Sequence, residues 1–523
     1  MGKIVTTKIE RFDGGIANDP RDPRGNVARV ITNFDVLTDP RRMKPYRNSE
    51  SGDSGASTAL TQNWCIALGA SSTYKIFGLG RQTALDRVLI RSKELTTGAP
   101  NDLDDAGWST LTKGEGGQAT PNYNLFVFYR KTGYIYGAHT GTHIYRHDPT
   151  DSGAFVDTHQ AVTYTHIGQG VVHSEDDILY IPAYNSAASA GARSFIISNN
   201  NGSWDNSALA LPDHLMPTSV FEHGNYLGIV CADVNGVGNS KVILWDRDSL
   251  SWNEMYDLGE SSAIIGEDLQ GTIVTIAQSG GTTSSYSGIP SGSIRHKEKI
   301  IIRFFPSNGA DTIELEGTDS TVVLAHKQKI NERLYFMASI TLNGTVREGL
   351  WSVGRNKLGQ WSLVHERTPN NDTALTSGVM RGFFIVGDYV FQAYVDNGTH
   401  AVSKTNDTEA YATSIWESKI YDGGDATQKK DLLGLSLSTE PLDDSPATSA
   451  DVYYKKDNES SYTQLFTHDV DGEISYDAIR NEDAGTVLPK DYKEIQFKIE
   501  STGATITSFG FQEEITGKKT YNG

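Results

Sequence analysis

The chain has 523 residues, and its 46 Lys and Arg against 65 Asp and Glu give a net charge of −19. That balance excludes a general nucleic-acid binder, because a phosphate backbone would be repelled over most of the surface. With 52 Gly and 24 Tyr against 6 Met, the composition describes strands and turns rather than helices, so the expected class is all-β.

Residues 1–57 come first and are too polar to form a core alone. Pro20, Pro23, Pro40 and Pro45 exclude a long helix there. The segment is expected as an extended arm that orders against something else, with Val30 to Leu37 supplying a strand to the last blade so that the ring closes. Residues 1–47 hold ten Lys or Arg and six acids, a local charge of +4 on an acidic chain. A basic arm of this kind suits docking onto an acidic neighbour, another copy of the chain included; the plainer reading is a solvated terminal segment. Its opening residues carry no apolar signal core, and no run of 18 apolar residues occurs anywhere. The expectation is therefore a chain made in a cytoplasm-like compartment, with no membrane insertion.

From about residue 58 a repeat sets in. Short apolar strands are followed at near-constant distance by closing aromatics: Trp108, Phe155, Trp204, Trp252 and Trp361. The gaps are 47, 49 and 48 residues and then 109, about twice the period. Central strands such as Tyr74-Lys-Ile-Phe, Ile178-Leu-Tyr-Ile, Tyr226-Leu-Gly-Ile-Val and Leu334-Tyr-Phe-Met keep a Tyr at or beside the same phase. They often follow polar turns, as at Asp176-Asp177 and Asn331-Glu332. Small antiparallel sheets at a period near 50 cannot bury both faces until they stack, which predicts a β-propeller of six or seven blades over 58–415. A Gly/Ser loop at 279–293 interrupts one blade and is either functional or merely tolerated. Cys65 and Cys231 sit in apolar runs, so buried thiols are expected rather than a disulfide.

Near Trp416 the phase changes. Strand-like runs at Trp416–Ile420, Leu432–Leu437, Val452–Lys455, Glu494–Ile499 and Ile506–Phe511 alternate apolar and polar residues, which reads as a separate C-terminal β-sandwich over 416–523.

Motifs that carry chemistry are mostly missing. There is no Gly-x-Ser-x-Gly elbow, His-Glu-x-x-His, phosphate-binding Gly-rich loop or Cys-x-x-Cys pair. The turns Ser352–Trp361 and Asp246–Trp252 lack the Asp of a sialidase-type blade turn, so their Trp residues are read as plugs between blades. Asp233–Asn239 and Asp469–Glu473 supply too few oxygens for calcium and are read as hairpin turns. His139, His143 and His147 straddle a turn, which speaks against a shared metal. No catalytic, cofactor-binding or metal-binding residue is assigned, and no cofactor is expected.

The opening phrase Ile9-Glu-Arg-Phe-Asp-Gly-Gly-Ile-Ala, then Asp19-Pro-Arg and Asn33-Phe-Asp-Val-Leu, resembles the start of tailed-bacteriophage virion structural proteins. The later run Trp416-Glu-Ser-Lys-Ile-Tyr-Asp-Gly-Gly-Asp-Ala, with Val452-Tyr-Tyr-Lys and Ile495-Gln-Phe-Lys-Ile, is similar to the β-sandwich accompanying propellers in such proteins. The resemblance implies a tail nozzle or hub subunit of a short-tailed phage, located in the virion tail. It implies a homo-oligomeric ring, commonly sixfold, below a portal-proximal adaptor, with DNA only as passing cargo. On that view Phe12, Gly14, Gly15, Arg21, Arg24, Asn33, Phe34, Arg41 and Arg42 are the candidate subunit-interface residues. Removing residues 1–47 is expected to leave a folded propeller that no longer assembles. Two other readings stand beside it: a receptor-binding propeller that grips a host glycan or protein, and a propeller glycoside hydrolase.

Overall fold

A computed structural model describes residues 3–516 apart from 18, 52–58, 69–73, 83–86, 95–108, 114–124, 140–141, 151–154, 235–238, 260–262, 280–298, 306–311, 317–320, 343, 371–374, 376–378, 398, 445–446 and 480–486. Every regular element in it is a β-strand. The chain divides into two compact units: residues 1–49, 351–373 and 406–523 form one, and 50–350 with 374–405 form the other.

The second unit is a β-propeller. Antiparallel meanders follow one another along the chain at 59–113, 126–161, 166–211, 215–257 and 263–316. The sixth begins with Thr321–Ile330 and the seventh with Val379–Val386. Strand alternation alone does not stabilise such a sheet, because each meander buries its faces only against its neighbours. The packing follows that requirement. Phe77 and Ile90 of the first blade share a cluster with Phe126, Ile135 and Tyr145 of the second. Tyr136 and Ala138 meet Leu179 and Ile181 of the third, and Tyr180 and Ile196 meet Leu227 and Ile229 of the fourth. Val230 and Val242 pack with Ile273 and Ala277 of the fifth. Met337 and Leu350 of the sixth meet Phe383 and Val390 of the seventh. Phe384 and Phe391 then reach back to Trp64 and Ile76 of the first blade, so the ring closes.

The strand that completes the last blade is not Val30 to Leu37. Sheet order places Arg47–Ser51 beside Thr399–Ala410, whereas Ala28–Thr32 lies between Trp361–Arg367 and Ser414–Ser418. Val30 and Ile31 are fully buried, and apolar residues of this kind are drawn to a two-faced core. The polar sequence of Arg47–Ser51 suits an outermost strand, which needs main-chain pairing more than side-chain burial.

The first unit holds two larger sheets and a two-stranded ribbon of Phe34–Asp35 with Lys44–Pro45. One, called here the terminal sheet, has the order Lys3–Ile9, Ile506–Ile515, Lys430–Thr439, Ser475–Ile479. In the companion sheet Trp361–Arg367, Ala28–Thr32, Ser414–Ser418, Ile495–Thr502, Ser449–Lys456 and Thr463–His468 follow one another. Aromatics fill the space between them: Trp416 lies 5.9 Å from Phe509, and Phe497 lies 4.8 Å from Phe511 and 5.2 Å from Phe509, ring to ring. Such pairs add about 0.5–1.5 kcal/mol each beyond their buried area. Of residues 1–57, expected as an extended arm, 1–49 belong to this unit. Their few apolar side chains, among them Phe12, Val27, Val30, Ile31, Phe34, Val36 and Met43, are nearly all buried.

Candidate functional site

The expected interface residues fall into two groups. Phe12 is buried with its ring edge-on to Trp416 at 6.2 Å, and Phe34 is fully buried. Asn33 takes a left-handed φ of 61°. Its side chain donates to the Thr413 carbonyl at 3.2 Å and accepts from the Thr368 amide at 3.0 Å. Gly14 and Gly15 form a tight passage. A methyl group on Gly14 would lie 2.4 Å from the Asn26 carbonyl oxygen, and one on Gly15, at φ +77°, 2.7 Å from that of Leu363. These five residues build the interior of their own unit, which withdraws them as contact residues for another subunit.

The arginines remain at the surface but are engaged. Arg21 pairs with Glu494 at 2.6 Å, Arg24 with Asp22 at 2.8 Å, and Arg42 with both Glu440 and Asp39. Arg41 is exposed. Pairs this accessible contribute little, about 0–1 kcal/mol each. The basic charge read in the sequence is therefore largely spent within the first unit.

Two polar clusters lie on the sheets of this unit. On the companion sheet, the Lys498 ammonium lies 4.2 Å from the Tyr453 ring centre and 5.1 Å from that of Tyr462, with Lys455 at 4.7 Å from the latter. Tyr462 donates to Glu417 at 3.2 Å, and Lys498 pairs with Glu500 at 2.7 Å. Burial raises the Tyr453 phenol to about 12. On the terminal sheet, a shallow groove of about 270 Å³ runs across all four strands, lined by Thr6, Lys8, Gly434, Ser436, Asp477 and Gln512 among others. Behind it, Glu513 points inward and accepts from the Tyr492 hydroxyl at 2.8 Å. The Lys430 ammonium donates to the carbonyls of Asp425, Gln428 and Lys493 at 2.7–3.0 Å. Burial pushes the Glu513 carboxyl up and the Lys430 ammonium down.

In the propeller, polar ties join neighbouring blades. Tyr129 donates to the Asp177 carbonyl at 2.6 Å, and the Ser174 amide and hydroxyl donate to Glu222 at 2.7 and 3.0 Å. Arg247, at φ 71°, reaches Asp176 at 2.6 Å and Glu175 at 2.7 Å. His223 meets Asp268 at 2.5 Å. Lys327 of the sixth blade enters the two before it, donating to the carbonyls of Val220 at 2.8 Å and Gly266 at 2.5 Å and to Glu267 at 2.9 Å. Desolvation lowers its ammonium, with Glu267 opposing. Sequence pattern gave no sign of these ties, since each needs the stacking of separate blades.

Trp204 and Trp252 pack partly buried on clusters shared by adjacent blades, and Trp204 meets Tyr136 edge-on at 5.4 Å. Trp108 and loop 279–293, save Ser279, lie outside the described residues. His139 opposes His143 across the hairpin, whereas His147 is buried 5.7 Å from the Phe77 ring. At 469–473 the Glu473 amide donates to the Val470 carbonyl at 3.1 Å, a turn closed on itself; Asp233 is buried, and 235–238 lie outside the described residues. Among the described residues no helix is long and apolar enough to cross a membrane.

No family model and no curated protein matches this chain. Among solved structures it is similar to a puromycin-hydrolyzing peptidase of Mycobacterium tuberculosis, at 10% identity and a TM-score of 0.37, covering 72% of this chain and 60% of that one. It is also similar to the Dos1 propeller, at 11% identity and a TM-score of 0.38, covering 69% of this chain and 95% of that one. A third is the β-propeller domain of the Trilobed protease from Pyrococcus furiosus, at 11% identity and a TM-score of 0.37, covering 68% and 95%. This chain thus spans 60% of the length of the peptidase.

Proposed function

We propose that this chain is a non-enzymatic structural component of a phage tail, a nozzle or hub ring around the DNA exit channel that assembles with copies of itself and with neighbouring tail proteins. The observation that carries the reading is the pairing of an early strand with a late one. Lys3–Ile9 runs antiparallel to Ile506–Ile515 over seven consecutive pairs, Lys3 with Ile515 through Ile9 with Phe509. A load applied along either strand is then borne in shear by a whole ladder of hydrogen bonds, which suits a mechanical part. The net charge of −19 supports the same reading, because an acidic wall repels DNA and lets it slide. The resemblance at Ile9–Ala17, Asp19–Arg21, Asn33–Leu37 and Trp416–Ala426 supplies the tail context.

Negative-stain imaging and sedimentation of the purified full chain test it. Closed rings are the expected result. A monomer at every concentration, or hydrolysis of a peptide or oligosaccharide panel by the pure chain, would overturn the reading.

A further inference from the structure

The terminal sheet is open at both edges among the described residues. Lys3–Ile9 pairs only with Ile506–Ile515, and Ser475–Ile479 only with Lys430–Thr439. An unpaired edge presents a row of free amide and carbonyl groups, a template for another strand. Neighbouring strands in this sheet are antiparallel throughout. A further copy added at the Ser475–Ile479 edge through its own Lys3–Ile9 strand therefore continues the same up-and-down alternation.

Charge and register agree with that addition. Lys8 pairs with Gly510, Gly510 with Ser436, and Ser436 with Asp477, so one row across the sheet has a lysine at one edge and an aspartate at the other. The next row holds Thr6, Gln512, Gly434 and Ile479. Both charged ends are solvent-exposed, and Lys8 pairs with the equally exposed Glu10 at 2.5 Å. Lys3 adds to the basic edge, while Asp469, Asp471 and Glu473 stand exposed in the turn leading to the acidic one. Two basic edges repel, as do two acidic ones, so only unlike edges meet.

We infer that the terminal sheet is the joint between copies of this chain. Lys3–Ile9 of one copy adds antiparallel to Ser475–Ile479 of the next, with Lys8 opposite Asp477 across the seam. The inference rests on the self-assembling structural role proposed above and names its contact. The contact is head-to-tail: each copy uses one edge of each kind, and the rotation between copies decides whether the series closes. The groove over Gly434 and Gly510 would then run on from copy to copy along the outer face.

The test is sedimentation velocity of the full chain over a concentration series, with Lys8→Glu, Asp477→Lys and the double exchange. Thermal melting checks that each variant is folded. Each single reversal is expected to raise the concentration needed for assembly roughly three- to tenfold, and the double exchange to return it to within about twofold. If the natural chain assembles and the single variants match it, the joint lies elsewhere; this inference falls and the structural role stands. Failure of the double exchange to restore assembly removes the Lys8–Asp477 pairing. A natural chain that stays monomeric overturns both. Should Asp477→Lys not fold, Asp477→Asn is read in its place, with weakened assembly expected and unchanged assembly counting against the joint.

Discussion

Lys327 offers a direct measure of how the propeller is held together. Lys327→Met keeps the length of the side chain and removes its charge. It leaves the Val220 and Gly266 carbonyls without their donor and Glu267, itself only 15% exposed at the side chain, without its counter-ion. Removing one partner of a buried pair costs about 3–5 kcal/mol, because the remaining charge is stranded. At about 2 °C per kcal/mol for a unit of this size, the propeller transition should fall by roughly 6–10 °C. Glu267→Gln in the same background removes the stranded charge, so the double variant should regain at least half of the loss. Calorimetry of the four proteins in the cycle supplies the comparison. If Lys327→Met alone costs under 1 kcal/mol, or the double variant is no better than the single one, the lysine is not acting as a buried tie between blades.

Removal of residues 1–47 should unfold the first unit rather than free an arm, since Val30, Ile31 and Phe34 are all fully buried; limited proteolysis would then cut readily within 406–516. Gly15→Ala should cost about 2–4 kcal/mol in a denaturant titration, combining a left-handed φ of +77° with a 2.7 Å approach to the Leu363 carbonyl. His166 is buried and its imidazolium depressed from 6.5 to about 3 by desolvation. The unfolded chain binds that proton first on acidification, so stability is full above about pH 6.5 and falls as pH drops toward 3. At pH 5 the loss is about 2 kcal/mol relative to neutral pH, and His166→Phe should flatten that part of the stability profile.

The propeller was legible because its blades repeat a local pattern: an apolar central strand, a polar turn and a closing aromatic at fixed distance. The first 49 residues were not, for a physical reason. Their apolar residues are too few to form a core among themselves, and their partners, such as Trp416 for Phe12 and Thr413 for Asn33, lie hundreds of positions away. Composition reads such a segment as an arm; register turns it into strands of a packed unit. Arg47–Ser51 escaped notice because its sequence, Arg-Asn-Ser-Glu-Ser, has no alternation to read. The opposition of Lys8 and Asp477 was equally hidden, as it appears only once three ladders are aligned.

The pairing of Lys3–Ile9 with Ile506–Ile515 also sets a clock on biosynthesis. The earlier strand leaves the ribosome nearly 500 residues before its mate exists. At 5–20 residues per second it waits about 25–100 s. Until then it cannot complete its own sheet.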